Sequence, residues 1–142
     1  MPEASNEVTI GRPPAAVFDF LANAENDKRW RDGVLEIERV SGDGVGTRYR
    51  QVVAGPGGRR IDADIEITEF VPERRIGFQT TTGPVRPAGT YEIEASDANT
   101  RLRFTLRADL GGFKKVMSPM VKRTMASEVG ALEKLKQVLE QQ

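Results

Sequence analysis

Glu128 is the ionisable residue whose position most invites chemistry. Counted at 100° per residue, it falls near the middle of an apolar helical stripe, between Thr124 and Leu132 or Leu135. An ionised carboxylate there costs on the order of several kcal/mol unless it is paired. Desolvation without a partner would raise its pKa. Such a carboxyl could bond a polar group of a ligand, or serve as acid and base in an aldol-type cyclisation. A small rotation of the helix would instead let it reach solvent or pair with an arginine. Four further polar residues, Tyr49, Gln51, Thr80 and Tyr91, fall on inward strand positions. They suit the orientation of a ligand carbonyl or hydroxyl, although buried hydroxyls and amides commonly satisfy one another. Arg86 follows Gly83-Pro84-Val85 and reads either as a residue near a cavity mouth or as a solvated loop arginine.

Several other chemistries are excluded by what the chain lacks. There is no histidine and no cysteine in its 142 residues, which removes imidazole proton shuttles, thiolate metal sites and disulfides. Asp62, Asp64 and Glu66 share one face of a strand, but strand spacing spreads such carboxylates about 6.5–7 Å apart. They read as a solvated outer face, and no metal is expected. Gly42-Asp43-Gly44-Val45-Gly46 enters a strand, whereas dinucleotide binding needs a helix N-terminus for the pyrophosphate. No cofactor is expected. Twenty-one basic residues balance 21 acidic ones, so no overall basic field exists to attract nucleic acid. No stretch approaches the roughly 20 apolar residues of a membrane span, and the N-terminus has no signal-peptide pattern. The expectation is one domain over residues 1–142, cytoplasmic, a monomer or weak homodimer.

The elements that must position these residues are legible from periodicity. Phe113 to Leu139 reads as one long amphipathic helix, with Phe113, Met117, Met120, Val121, Thr124, Ala131, Leu132, Leu135 and Leu139 on one face. Pro119 inside it marks either a kink or the true helix start. Ahead of it, Glu7–Ile10 is a short strand, Ala15–Leu21 a short helix after Pro13-Pro14, and Ala24–Trp30 another helical turn or two. Six strands follow, with inward Tyr49, Gln51, Phe78, Thr80, Tyr91 and Phe104 alternating with charged residues. Ile61 to Ile67 reads as one continuous strand, closed by Pro72. If Ser96-Asp97-Ala98-Asn99 closes a hairpin, Glu94 lies opposite Arg101, Glu92 opposite Arg103, Ile93 opposite Leu102 and Tyr91 opposite Phe104.

This order of elements resembles the helix-grip fold of the START-like (SRPBCC) superfamily, and within it the polyketide cyclase/dehydrase and lipid-transport group. The resemblance rests on Val8-Thr9-Ile10, on Pro13-Pro14-Ala15-Ala16-Val17-Phe18-Asp19-Phe20-Leu21 with Trp30 nine residues on, and on Val45-Gly46-Thr47-Arg48-Tyr49. Thr68-Glu69-Phe70-Val71-Pro72 with Arg75-Ile76, and Leu132 with Leu135-Lys136, complete it. It spans essentially the whole chain. It implies an α+β helix-grip fold: a curved seven-stranded antiparallel sheet around a long C-terminal helix, with two short helices after the first strand. It also implies a cavity for a lipid, polyketide or similar apolar molecule, and it carries no shared catalytic set.

The expected ligand-binding set is Trp30, Tyr49, Gln51, Phe78, Thr80, Tyr91 and Phe104 from the sheet side, with Met117, Met120, Val121 and Thr124 from the helix. A mostly apolar lining with a few polar groups is what small-molecule pockets present. The expected function is binding or transport of a small hydrophobic or amphipathic ligand. The alternative is a cyclase or dehydratase using Glu128 and an inward tyrosine as acid and base.

Overall fold

The structure is a computed structural model that describes residues 3–83, 85–108 and 118–142, with backbone alone at 56 and 118–122. Strand β1 (Glu3–Ile10) leads through Pro13 and Pro14 into helix α1 (Pro14–Ala22) and a 3-10 helix (Ala24–Arg29). A proline at the first turn loses only an N–H that lacks an intrahelical partner anyway. The 3-10 helix is capped by Asn23, whose side chain accepts from the Glu25 N–H at 3.1 Å. Seven strands follow: β2 (Val34–Ser41), β3 (Arg48–Ala54), β4 (Arg60–Asp62), β5 (Ile65–Val71), β6 (Arg75–Thr80), β7 (Ala88–Ser96) and β8 (Asn99–Arg107). The chain ends in α2 (Ser118–Gly130) and α3 (Leu132–Glu140).

The sheet runs in the order β1-β8-β7-β6-β5-β3-β2, with β4 beside β3. All of these pairings are antiparallel. Seven strands lie along the path as expected, and β4 adds an eighth. It arises because the run from Ile61 to Ile67 is broken at Ala63-Asp64. Ala63 still donates its N–H to the Gln51 carbonyl (2.9 Å). Asp64 turns aside: its carboxylate accepts the Gln51 N–H (3.1 Å) and its own N–H goes to the Thr82 hydroxyl (2.8 Å). Asp64 therefore replaces a ladder bond rather than sharing an outer face with Asp62 and Glu66.

The β7–β8 hairpin has the expected register, with Tyr91 opposite Phe104, Ile93 opposite Leu102, Glu92 opposite Arg103 and Glu94 opposite Arg101. Asp97 takes the left-handed conformation the tight turn requires (φ 56°). Glu94 meets Arg101 at 3.5 Å, whereas Glu92 turns to Arg75 at 3.6 Å. These exposed contacts fix register more than they add stability.

Among the described residues the long C-terminal helix runs as α2 and α3, interrupted at Ala131. At Ala131 the N–H bonds to the Glu128 carbonyl three residues back (3.2 Å), a tightened turn between Gly130 and Leu132. The carbonyl of Val129, freed near this break, accepts from the Asn6 side chain of β1 (3.2 Å). Pro119 is the second described residue of α2, and the expected beginning at Phe113 lies outside the described residues. Leu132, Leu135 and Leu139 are fully buried, and Met125 and Val129 extend the same stripe. Each such side chain contributes roughly 1.5–3 kcal/mol by burial. They pack in one core with Val8 and Ile10 of β1, Leu102, Phe104 and Leu106 of β8, and Val17, Phe18 and Leu21 of α1.

Candidate functional site

Between the sheet and α2 lies a cavity of about 540 Å³. Its apolar wall is built by Val53 of β3, Phe78 of β6, Leu106 of β8 and Met125 of α2, with Ile61 and Val85 beside them. Strand alternation puts these residues on one face, because successive side chains point to opposite sides of a sheet. Gly89 shapes the wall from β7. A Cβ there would overlap the Phe78 ring, so glycine lets that ring lie flat across the neighbouring strand.

A larger concavity of about 940 Å³ lies on the opposite face of the sheet. Its walls carry Arg75, Glu92, Glu94 and Arg101, which already pair with one another there. It is a charged outer groove. The smaller cavity is the better ligand site, because it joins an apolar wall to a short cluster of polar groups.

That cluster is centred on Arg31, just beyond the 3-10 helix. Its Nε donates to Glu128 Oε2 at 2.9 Å. Its Nη1 donates to Asp27 Oδ2 at 3.0 Å and to Gln51 Oε1 at 3.1 Å. Asp27 and Arg31 are one helical turn apart, and the Arg31 N–H also bonds the Asp27 carbonyl (2.7 Å). Gln51 completes the frame by donating through Nε2 to the Ala63 carbonyl (2.8 Å). Arg31, Gln51 and Glu128 line the cavity, and Asp27 stands behind Arg31.

Burial and pairing compete in this cluster. Desolvation pushes the Asp27 carboxyl up to about 6, against the pull of Arg31 beside it. Burial works against the charge of Arg31, but Glu128 and Asp27 outweigh it and hold its pKa above the ordinary value. Both tyrosine hydroxyls are raised by burial, Tyr91 strongly, with the nearby Asp27 charge adding to the effect there.

The expected site residues separate into two groups. Gln51, Phe78, Thr80, Thr124 and Glu128 come together on the cavity wall. Trp30, Tyr49, Tyr91 and Phe104 do not line it among the described residues; they are buried in the adjoining core. Tyr91 stacks on Phe104 (centroids 4.4 Å apart), and Trp30 meets both rings edge-on at 6.3 Å. Tyr49 accepts the Ala24 N–H at 3.3 Å, which ties β3 to the 3-10 helix. Among the described residues, the Tyr91 hydroxyl and the Trp30 indole N–H have no hydrogen-bond partner. The indole lies close enough to Asp27 to favour its charge without reaching hydrogen-bond geometry.

Met117 lies outside the described residues, as do the side chains of Met120 and Val121. Arg86 is exposed, with its Nε on the Gly83 carbonyl at 3.2 Å. Glu66 pairs with Arg48 at 3.1 Å, and Asp62 is exposed at the cavity rim. Gly42, which would bring a Cβ to 2.8 Å from the Thr47 Cα at φ +90°, serves the β2–β3 turn. Sequence reasoning missed Arg31 and Asp27. Their signal was the four-residue spacing of an acid and a base around Trp30.

A family model described as polyketide cyclase / dehydrase and lipid transport matches residues 1–140. The chain belongs to this family. No curated protein matches it. Among solved structures, it is similar to TTHA0849 from Thermus thermophilus, with 26% identity, TM-score 0.82 and 97% of each chain covered. It is also similar to a START superfamily protein from Mycobacterium smegmatis, with 16% identity, TM-score 0.81 and coverage of 98% of this chain and 97% of that one. DR_A0006 from Deinococcus radiodurans shares the fold at 17% identity and TM-score 0.72, with 98% of each chain covered. The family and the helix-grip fold point to ligand binding in a hydrophobic cavity. None of the described helices of this family member is long and apolar enough to cross a membrane.

Proposed function

We propose that the protein binds or carries a small apolar or amphipathic molecule in the cavity between β3, β6, β8 and α2. The observation that carries this reading is the combination of volume and lining. About 540 Å³ walled by Val53, Phe78, Leu106 and Met125, and ended by Arg31, Gln51 and Glu128, is the size and composition of a small-molecule site. The apolar wall supplies affinity by excluding water, and the polar end supplies orientation. Binding is a better fit than cyclase or dehydratase chemistry. Glu128 is engaged with Arg31, and neither described tyrosine hydroxyl lines the cavity to act with it.

The test is uptake of the uncharged dye Nile red, read by its fluorescence, in the wild-type protein and in Thr124→Phe. Thr124 is exposed at the cavity wall, so a larger side chain can close the space without overpacking the core. Saturable uptake that the variant loses by about tenfold or more supports the reading. Uptake that Thr124→Phe leaves unchanged, or no uptake at all, opposes it.

A further inference from the structure

The guanidinium of Arg31 is only partly used. It has five N–H donors. Nε–H goes to Glu128, and the two hydrogens of Nη1 go to Asp27 and Gln51. Nη2 makes no hydrogen bond among the described residues. Arg31 is 8% exposed and is one of the residues that line the cavity. A buried donor left unpaired costs roughly 1–3 kcal/mol. Nη2 therefore carries two N–H donors in a fixed plane, diverging so that a single ligand oxygen takes one of them.

The charge around that donor pair decides which oxygen fits. Asp27 and Glu128 both contact the single guanidinium, and at pH 7 Asp27 is above its midpoint of about 6. Asp62 adds a further acid at the exposed rim, and Arg31 is the sole cation among the described lining residues. An anionic head would be a third carboxylate-like charge around one guanidinium that is itself buried. A neutral oxygen accepts the same hydrogen bonds without that repulsion.

Resting on the cavity reading above, we propose that this site selects molecules with an apolar body and one uncharged oxygen acceptor, an alcohol, ketone or ester, seated on Arg31 Nη2, and discriminates against the matching carboxylate. Glu128 is then a specificity residue: its charge repels anionic heads while its bond to Nε holds the guanidinium plane.

Competition against Nile red with decane, decanol, methyl decanoate and decanoate at pH 7 tests this. Decanol and methyl decanoate are expected to bind about tenfold more tightly than decanoate, and more tightly than decane. Glu128→Gln keeps an oxygen for Nε and removes one negative charge, so the preference over decanoate is expected to collapse to within about threefold. Arg31→Met is expected to abolish the advantage of decanol over decane. That variant leaves Asp27 and Glu128 without their partner and can fail to fold, in which case the Glu128→Gln comparison decides. Decanoate binding the wild type as well as its methyl ester, or an unchanged preference in Glu128→Gln, overturns the selectivity. Decane binding as well as decanol overturns it too, while leaving the cavity reading intact. No displacement by any of the four probes overturns both.

Discussion

Arg31 Nε and Glu128 Oε2 lie 2.9 Å apart and join the segment after the 3-10 helix to the last turns of α2. The contact does two jobs. It compensates a carboxylate on an otherwise apolar helix stripe, and it holds α2 against the end of the cavity. The Arg31 side chain is 9% exposed and the Glu128 side chain 23%, so solvent screens the pair only in part. Removing the cation leaves Asp27 buried without its partner. Arg31→Met is therefore expected to cost about 3–5 kcal/mol, whereas Glu128→Gln, which keeps an acceptor for Nε, costs about 1 kcal/mol. Urea unfolding of both variants checks the order. Equal losses would show that the charge on Arg31 has no structural part.

Asp27 sets a pH dependence of known sign. Its carboxyl is raised from 3.8 to about 6 by burial, so between those values the native state holds a proton that the unfolded chain has released. Stability from this group is fully present below about 4 and falls as pH rises through about 6. Arg31, Glu128, Trp30 and Tyr91 face it and would share in any change. Asp27→Asn removes the titration. The stability of wild type minus that of the variant is expected to decline across this window and level off above it. A flat difference contradicts the assignment.

Gly89 is required by the ring beneath it. Gly89→Ala would drive a methyl into Phe78 and crowd Leu106, and overpacking of this kind costs about 1–3 kcal/mol. Because Phe78 also lines the cavity, Nile red uptake is expected to fall along with the thermal midpoint. An undisturbed midpoint would mean that the ring has free space elsewhere.

Gly130 is the opposite case. It closes α2 with nothing within 4 Å of an added Cβ and no positive φ. Gly130→Ala is expected to stabilise the protein by about 0.5–1 kcal/mol, through helix propensity and a less flexible unfolded chain. Thermal unfolding reads this directly, and a loss would show that the turn at Ala131 depends on glycine.

These contrasts show where the sequence was legible. Tyr91 and Phe104, or Glu94 and Arg101, were placed correctly because alternation on two adjacent strands leaves one register that buries apolar and exposes charged residues. The inward places of Phe78 and Thr80 follow from the same rule. The division of inward residues between cavity and core did not follow from it. Alternation gives the face of Tyr91, but position along the sheet decides whether it meets empty space or Trp30 and Phe104. Asp27 and Arg31 lie in and just beyond the segment Ala24–Trp30, which showed itself in sequence only as a helical turn or two with no marked apolar face. The break at Ala131 was masked by an apolar spacing that continues through it. The split of Ile61–Ile67 depended on Asp64 reaching the Gln51 N–H, a contact between strands that no local pattern records.

The central claim is that the cavity holds a small apolar-bodied molecule. Its most direct test is methyl NMR of the protein during titration with decanol. Saturable shifts are expected at the methyl groups of Val53, Leu106 and Met125, which line the cavity, with Val71 on the outer groove unmoved. Absence of saturable shifts at those three methyls, or shifts confined to Val71, would contradict the account.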